Sequence, residues 1–136
     1  MTKNDLANFI VNQIRRDKIE RFSLFNNKAK GIFAILSILH ETKEELTSGD
    51  VAKKLRISTA RMAVAVKTLL KKGYVKKEKA KIDKRRLVIT ITEEGIKLYE
   101  REKRNIIAFI EKIFAVLSDE EVDSLGQIAK KLLSIC

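Results

Sequence analysis
The chain has 136 residues, 45% of them hydrophobic and 35% charged, a size and balance that describe one folded domain with a real core and exclude a disordered segment. Its net charge is +11, and the block from Lys53 to Arg86 alone carries +12, with fourteen Lys and Arg against two acids. The rest of the chain is close to neutral. A positive charge confined in this way is the electrostatic footprint of a protein that binds a polyanion, whereas a diffuse one would serve solubility.

The longest apolar run, Gly31 to Leu39, is far too short to cross a bilayer, and the N-terminal MTKNDLANF lacks the apolar core of a signal peptide. These features point to the cytoplasm and to no membrane partner. With no proline and only five glycines, the chain favours helices.

From Asp5 to Phe25 the apolar residues Leu6, Phe9, Ile10, Ile14, Phe22 and Phe25 recur at helical spacing and predict a first helix. A second is expected from about Lys28 to His40, apolar almost all round and therefore central. Thr47-Ser48-Gly49-Asp50 offers a threonine cap with an acid three residues on, a variant of the capping box, opening a short helix from Ser48 to Leu55. Ser58 is a second good N-cap, for a helix that runs to Lys72 and stops at Gly73, a natural left-handed terminator. Two helices joined by about three residues make a helix-turn-helix over 48–72.

Two strands follow, Tyr74 to Lys79 and Arg86 to Ile91, with Leu87, Ile89 and Ile91 on one face of the second. Thr92 caps a long helix reaching about Leu117, with Glu93 and Glu94 well placed for its dipole. Ser118-Asp119-Glu120-Glu121 is a full capping box and starts a last helix to Ile135.

On a helical wheel of Ser58 to Lys72, Met62, Val66, Leu69 and Leu70 fall on an inward arc. The opposite arc holds Ala60, Arg61, Val64, Lys67, Thr68 and Lys71. Such a face suits a DNA major groove, where arginine grips guanine through two hydrogen bonds and small apolar groups meet a thymine methyl. Val64 is the telling residue, because a valine has no purpose in the middle of a purely solvated face. Between the strands, seven of the eleven residues from Lys76 to Arg86 are Lys or Arg. A charged hairpin directly after a helix-turn-helix is the wing of a winged helix. It can lie along phosphates and push an arginine into a narrow, A·T-rich minor groove.

These residues carry a family resemblance. Thr47-Ser48-Gly49-Asp50-Val51-Ala52, Ile57-Ser58 and Leu69 followed by Gly73-Tyr74-Val75 resemble the winged helix of the multiple-antibiotic-resistance regulator (MarR) family. Asp83-Lys84-Arg85 and Ile91-Thr92-Glu93-Glu94-Gly95 resemble that family's Asp-x-Arg wing and Leu-Thr-x-x-Gly helix start, with isoleucine at position 91 where leucine is usual. The resemblance implies a homodimeric regulator on a pseudo-palindromic operator, with Ser58 to Lys71 in the major groove, Arg85 in the minor groove and Asp83 bracing the wing. The expected DNA-binding set is Thr47, Ser48, Ser58, Thr59, Ala60, Arg61, Val64, Lys67, Thr68, Lys71, Lys81, Asp83, Lys84, Arg85 and Arg86. Ala63 and Val64 stand where the family more often has polar groups, so Arg61 and Lys67 are the strong hydrogen-bonding readers. The resemblance also leaves room for a small-molecule effector near the first, second and fifth helices.

The dimer expectation rests on the residues as well. Ile106, Ile107, Phe109, Ile110, Ile113, Phe114, Val116 and Leu117 cover more than one stripe of their helix, and Val122, Leu125, Ile128, Ala129, Leu132 and Leu133 add another apolar face. Leu6, Phe9, Ile10, Ile110, Phe114, Leu117, Val122, Leu125, Ile128 and Leu132 are the expected dimerisation residues.

The resulting expectation is a single domain, mostly α with a small β-hairpin wing. Residues 28–92 would form the winged helix-turn-helix lobe with its wing at 74–91, and residues 1–27 and 93–136 a helical dimerisation region. His40 is the single histidine and Cys136 the single thiol, so no metal-ligand cluster forms, and there is no phosphate-binding glycine loop. No enzyme, metal or cofactor is expected. Double-stranded DNA is the expected partner and repression by promoter occlusion the usual consequence for the family. The competing reading is an architectural or RNA-binding module that uses the basic block without reading sequence.

Overall fold
The computed structural model describes residues 1–14 and 27–135. The elements are α1 (Lys3–Ile14), α2 (Asn27–Glu41), α3 (Ser48–Leu55), α4 (Thr59–Lys71), β1 (Val75–Lys79), β2 (Leu87–Ile91), α5 (Glu93–Phe114) and α6 (Asp119–Leu133). Their order is the one the sequence predicts. The continuation of the first helix to Phe25, with Phe22, lies outside the described residues, as does Cys136. The chain divides into two compact units, Met1–Glu100 and Arg101–Cys136, and α5 runs from one into the other.

Local rules account for most helix ends. α3 and α6 begin with reciprocal capping boxes, Thr47 with Asp50 and Ser118 with Glu121, in which each partner satisfies the other's backbone N–H. α1 begins in the same way and two residues earlier than expected. The Thr2 N–H donates to the Asp5 carboxylate at 2.9 Å and the Asp5 N–H to the Thr2 hydroxyl at 3.0 Å. α3 closes on Arg56, a non-glycine residue in the left-handed region at φ 55°, and α4 ends before Gly73 at φ 76°. α5 ends at Phe114, three residues short of the expected Leu117. The chain must leave the helix there so that Ser118 can adopt the extended conformation of an N-cap.

The first unit has a continuous core. Ile35 and Leu36 of α2, Leu46, Val51 and Ala52 of α3, Met62, Val66 and Leu69 of α4, Val75, Ile89 and Tyr99 are all buried together. Burying each large side chain contributes about 1.5–3 kcal/mol before conformational entropy is counted. The inward arc expected for α4 is the buried one, with Leu70 partly buried against the same cluster.

β1 and β2 pair antiparallel from Val75↔Ile91 to Lys79↔Leu87. Leu87 shares a face with Ile89 and Ile91 but lies out along the hairpin and is exposed, whereas Val88 on the opposite face is buried. The Ile89 N–H donates to the Leu46 carbonyl at 2.8 Å, so β2 has chain on both edges. Val88 and Ile89 point to opposite faces and both are buried, so at the centre of β2 both faces are covered and alternation no longer separates inside from outside.

Thr92 and Gly95 lock α5 onto this lobe. The Thr92 hydroxyl donates to the Gly73 carbonyl at 2.6 Å and accepts from the Gly95 N–H at 3.1 Å. A side-chain carbon at Gly95 would run into the Tyr74 carbonyl oxygen and lie 2.7 Å from Ile91 Cγ1. Glycine is required there because the backbones approach so closely.

Candidate nucleic-acid interface
α4 turns one face to its core and the other outward. Ser58, Thr59, Ala60, Arg61, Lys67 and Lys71 are exposed, and Val64 is 69% exposed although it is a valine. Thr68 is half-buried, and its hydroxyl donates to the Val64 carbonyl at 3.2 Å. Ser58 accepts the Arg61 N–H at 3.2 Å and so fixes the first turn, on which Arg61 is carried. Ala60, Arg61, Val64 and Thr68 also form one wall of a groove of about 660 Å³, with Gly31, Ile32 and Ile35 of α2 across from them. The N-termini of α3 and α4 each leave backbone N–H groups without helical partners, a natural seat for phosphate oxygens.

The wing projects its cations from the β1–β2 hairpin. At its tip the Asp83 carboxylate accepts the Arg85 N–H at 3.1 Å and pairs with Arg85 Nε at 3.5 Å, while the Asp83 carbonyl accepts the Arg86 N–H at 3.0 Å. Asp83 thus holds the turn together and orients Arg85, whose side chain remains 95% exposed. Lys81 and Lys84 flank it in the open.

Arg86 behaves differently from its neighbours. Its Nη2 lies 3.2 Å from Asp50 Oδ2, joining the wing to the first turn of α3. The Lys81 N–H donates to Glu45 Oε1 at 3.0 Å and adds a second tie nearby. The Thr47 backbone N–H, then the Thr47 side chain, hold the Asp50 carboxyl below its ordinary 3.8, and Arg86 and Lys53 act in the same direction. Asp50 therefore caps a helix and anchors the wing with one carboxylate. Sequence reasoning found its first role from local spacing. The second involves a partner 36 residues away, and no local signal announces it.

Of the residues expected to dimerise, Leu6, Phe9 and Ile10 of α1 are about half exposed, as are Phe114, Val122, Leu125, Ile128 and Leu132. Ile110 and Leu117 are partly buried.

Residues 32–110 match the winged helix DNA-binding domain family, well over half of the chain. The chain belongs to that family, in its MarR form. This winged-helix protein is 24% identical over 130 residues to the HTH-type transcriptional regulator SarZ of Staphylococcus haemolyticus, an alignment covering 93% of this chain and 86% of SarZ. A mutant of S. aureus MepR superposes on it with a TM-score of 0.73 at 25% identity, covering 98% of both chains. Another MepR mutant, bound to an oligodeoxyribonucleotide, superposes with a TM-score of 0.59 at 24% identity, covering 98% of this chain and 97% of that one. The winged-helix protein is a DNA-binding transcriptional regulator, and its relatives are regulators and not enzymes. None of its described helices is long and apolar enough to cross a membrane.

Proposed function
We propose that this regulator binds a pseudo-palindromic operator as a homodimer, reading base sequence with α4 in the major groove and wing geometry in the minor groove, and represses by occluding a promoter. The observation that carries the reading is the placement of charge. The +12 block falls on α3, α4 and the hairpin, and the outward face of α4 sets Arg61 and Lys67 beside an exposed Val64. Phosphate contacts alone would call for cations only; a valine among them favours contact with bases.

In this reading Arg61 grips a guanine edge, and Ala60 and Val64 touch thymine methyl groups. Lys67 is the second hydrogen-bonding reader on this face, and Lys71 holds phosphate, as do the α3 and α4 N-termini near Thr47, Ser48, Ser58 and Thr59. Arg85 enters the minor groove, where a narrow A·T-rich stretch concentrates negative potential. Arg86 contributes by bracing the wing against Asp50, and Lys81 and Lys84 add phosphate attraction.

The dimerisation region takes the helices on either side of the 28–92 lobe, residues 1–27 and 93–136. Uncovered apolar faces on α1, on the second half of α5 and on α6 support it, because contiguous exposed apolar surface marks an association site. Twofold pairing would set two copies of α4 about one DNA turn apart. The effector that the family resemblance leaves room for would lie near the aromatic cluster that joins α2 to the start of α5. There Phe33 stacks on Tyr99 at 5.3 Å, His40 lies 5.1 Å from the same ring, and the Tyr99 hydroxyl donates to Glu41 at 2.7 Å.

The test is selection of bound fragments from random duplex DNA at near-physiological salt. An enriched inverted repeat is expected. Binding without enrichment would favour an architectural module that attracts any duplex through its phosphates.

A further inference from the structure
Charge does not account for one residue of the wing. Ile82 is 98% exposed, more than any other large apolar side chain among the described residues. Two positions earlier Ala80 is buried at 3%, so the hairpin hides its small apolar residue and displays the large one. A lone exposed aliphatic group is ordinary on a protein surface. Its position gives this one meaning. It stands at the tip of the element, between Lys81 and the Asp83–Arg85 pair, where the chain turns and Arg85 extends into solvent.

The surrounding charge also identifies the partner. Seven cations in the eleven residues from Lys76 to Arg86 draw the tip toward a polyanion. Within a nucleic-acid duplex, an aliphatic group finds apolar surface on the sugar walls of the minor groove and between the faces of unstacked bases. Minor-groove proteins use isoleucine and similar side chains as wedges there, and pyrimidine–purine steps yield most easily.

We propose that Ile82 is an apolar wedge, inserted beside Arg85 into the minor groove, that partly unstacks a flexible step, bends the duplex and selects for TA or CA at that position. The proposal rests on the reading that places the wing in the minor groove. Arg85 supplies electrostatic attraction to a narrow groove, and Ile82 supplies a preference for a deformable step within it. The two residues thus read different properties of the same few base pairs.

The experiment uses the full chain and a duplex recovered by its own selection, with 2-aminopurine placed in turn at each base of the flank under the wing. Wild type should raise the fluorescence at one pyrimidine–purine step, because unstacking relieves quenching. Ile82→Ala should abolish that rise and weaken binding about ten- to fiftyfold, the upper figure being the scale of removing three fully buried side-chain carbons. Replacing the flexible step by a G·C-rich one should erase most of the difference between the two proteins. Ile82→Leu should restore both signals. Thermal unfolding of Ile82→Ala should match wild type, since the side chain is exposed, and this separates loss of the wedge from loss of fold. If Ile82→Ala keeps the fluorescence rise and the affinity while Arg85→Ala loses affinity, the wing is in the groove and the wedge is wrong. If neither substitution matters, the wing does not enter the groove and both readings fall.

Discussion

Leu69 of α4 is fully buried, whereas Leu132 of α6, the same side chain on a helix that is also strongly amphipathic, is 59% exposed. The contrast extends over the molecule. The buried apolar residues lie between Ile35 and Tyr99, while α6 has none and the described side chains of α1 are all exposed. A helix pattern alone therefore does not say whether an apolar face is satisfied within the chain. In the lobe, α2, α3, α4 and the hairpin close around one another. The outer helices present apolar faces that call for another surface. The first arrangement completes a core within the chain, and the second leaves apolar surface exposed.

The largest effects should come from breaking the self-sufficient region. Leu69→Ala should cost about 2–5 kcal/mol in chemical denaturation because it leaves a cavity in the centre of the core. Gly95→Ala should be comparably severe, since the new methyl meets the Tyr74 backbone, which cannot swing aside as a side chain could.

Polar substitutions in the outer helices should behave differently. Phe114→Asp combined with Leu125→Asp should give a monomer by sedimentation while circular dichroism still reports a folded lobe. Operator affinity should fall by about a hundredfold or more through loss of bivalent attachment. A persistent dimer would place the interface elsewhere. In wild type, the midpoint of thermal unfolding should rise with protein concentration, as mass action requires of an associating fold.

Smaller effects should separate roles within the lobe. Arg61→Ala should weaken binding to a selected site by about 1–3 kcal/mol and relax one base position, with little change on random duplex. Equal losses on both would remove Arg61 from base reading. Arg86→Ala should cost only about 0.2–1 kcal/mol of stability, the usual worth of an exposed ion pair, while reducing the preference for A·T flanks that a braced wing provides. Flank preference measured by competition binding would decide between bracing and simple phosphate contact.

Helix capping provides the mildest comparison, because both regions use it. Asp50 in the lobe, Asp5 in α1 and Glu121 in α6 are each held below their ordinary values, chiefly by the backbone N–H of Thr47, Thr2 and Ser118 respectively. A carboxylate whose pKa is lowered by folding stabilises the fold above its ordinary value and loses that contribution as pH falls through the folded one. Stability should therefore decline as acid is added below 3.8 for the aspartates and 4.5 for the glutamate. Asp50→Asn should flatten the acid limb of a pH-dependent melting series, and Thr47→Ala should lower stability by about 1 kcal/mol near neutrality.

Much of this architecture was legible from residues close together in the chain. Capping boxes act over three residues, amphipathic helices declare themselves every three or four, and Gly73 marks a helix end through its own backbone. These signals determined the element order, the inward arc of α4 and the outward position of Val64. Three features were legible less well. The start of α1 was hidden because Thr2 and Asp5 form an Asp-type box just ahead of the first apolar residue. The burial of Val88 broke alternation because both faces of β2 are covered at its centre. The exposure of Ile82 was not legible because a single apolar residue in a charged turn carries no periodic signal of which way it faces.

Composition and local pattern by themselves determined that this protein is mostly helical with a concentrated positive face suited to a polyanion. Tertiary structure alone decided how that face is held. The Asp50–Arg86 and Glu45–Lys81 contacts each span 36 residues, and the Thr92–Gly73 hydrogen bond spans 19. The reason is physical: a helix cap is chosen by neighbours along the backbone, but the partner of a wing arginine is chosen by whichever surface the folded chain brings beside it.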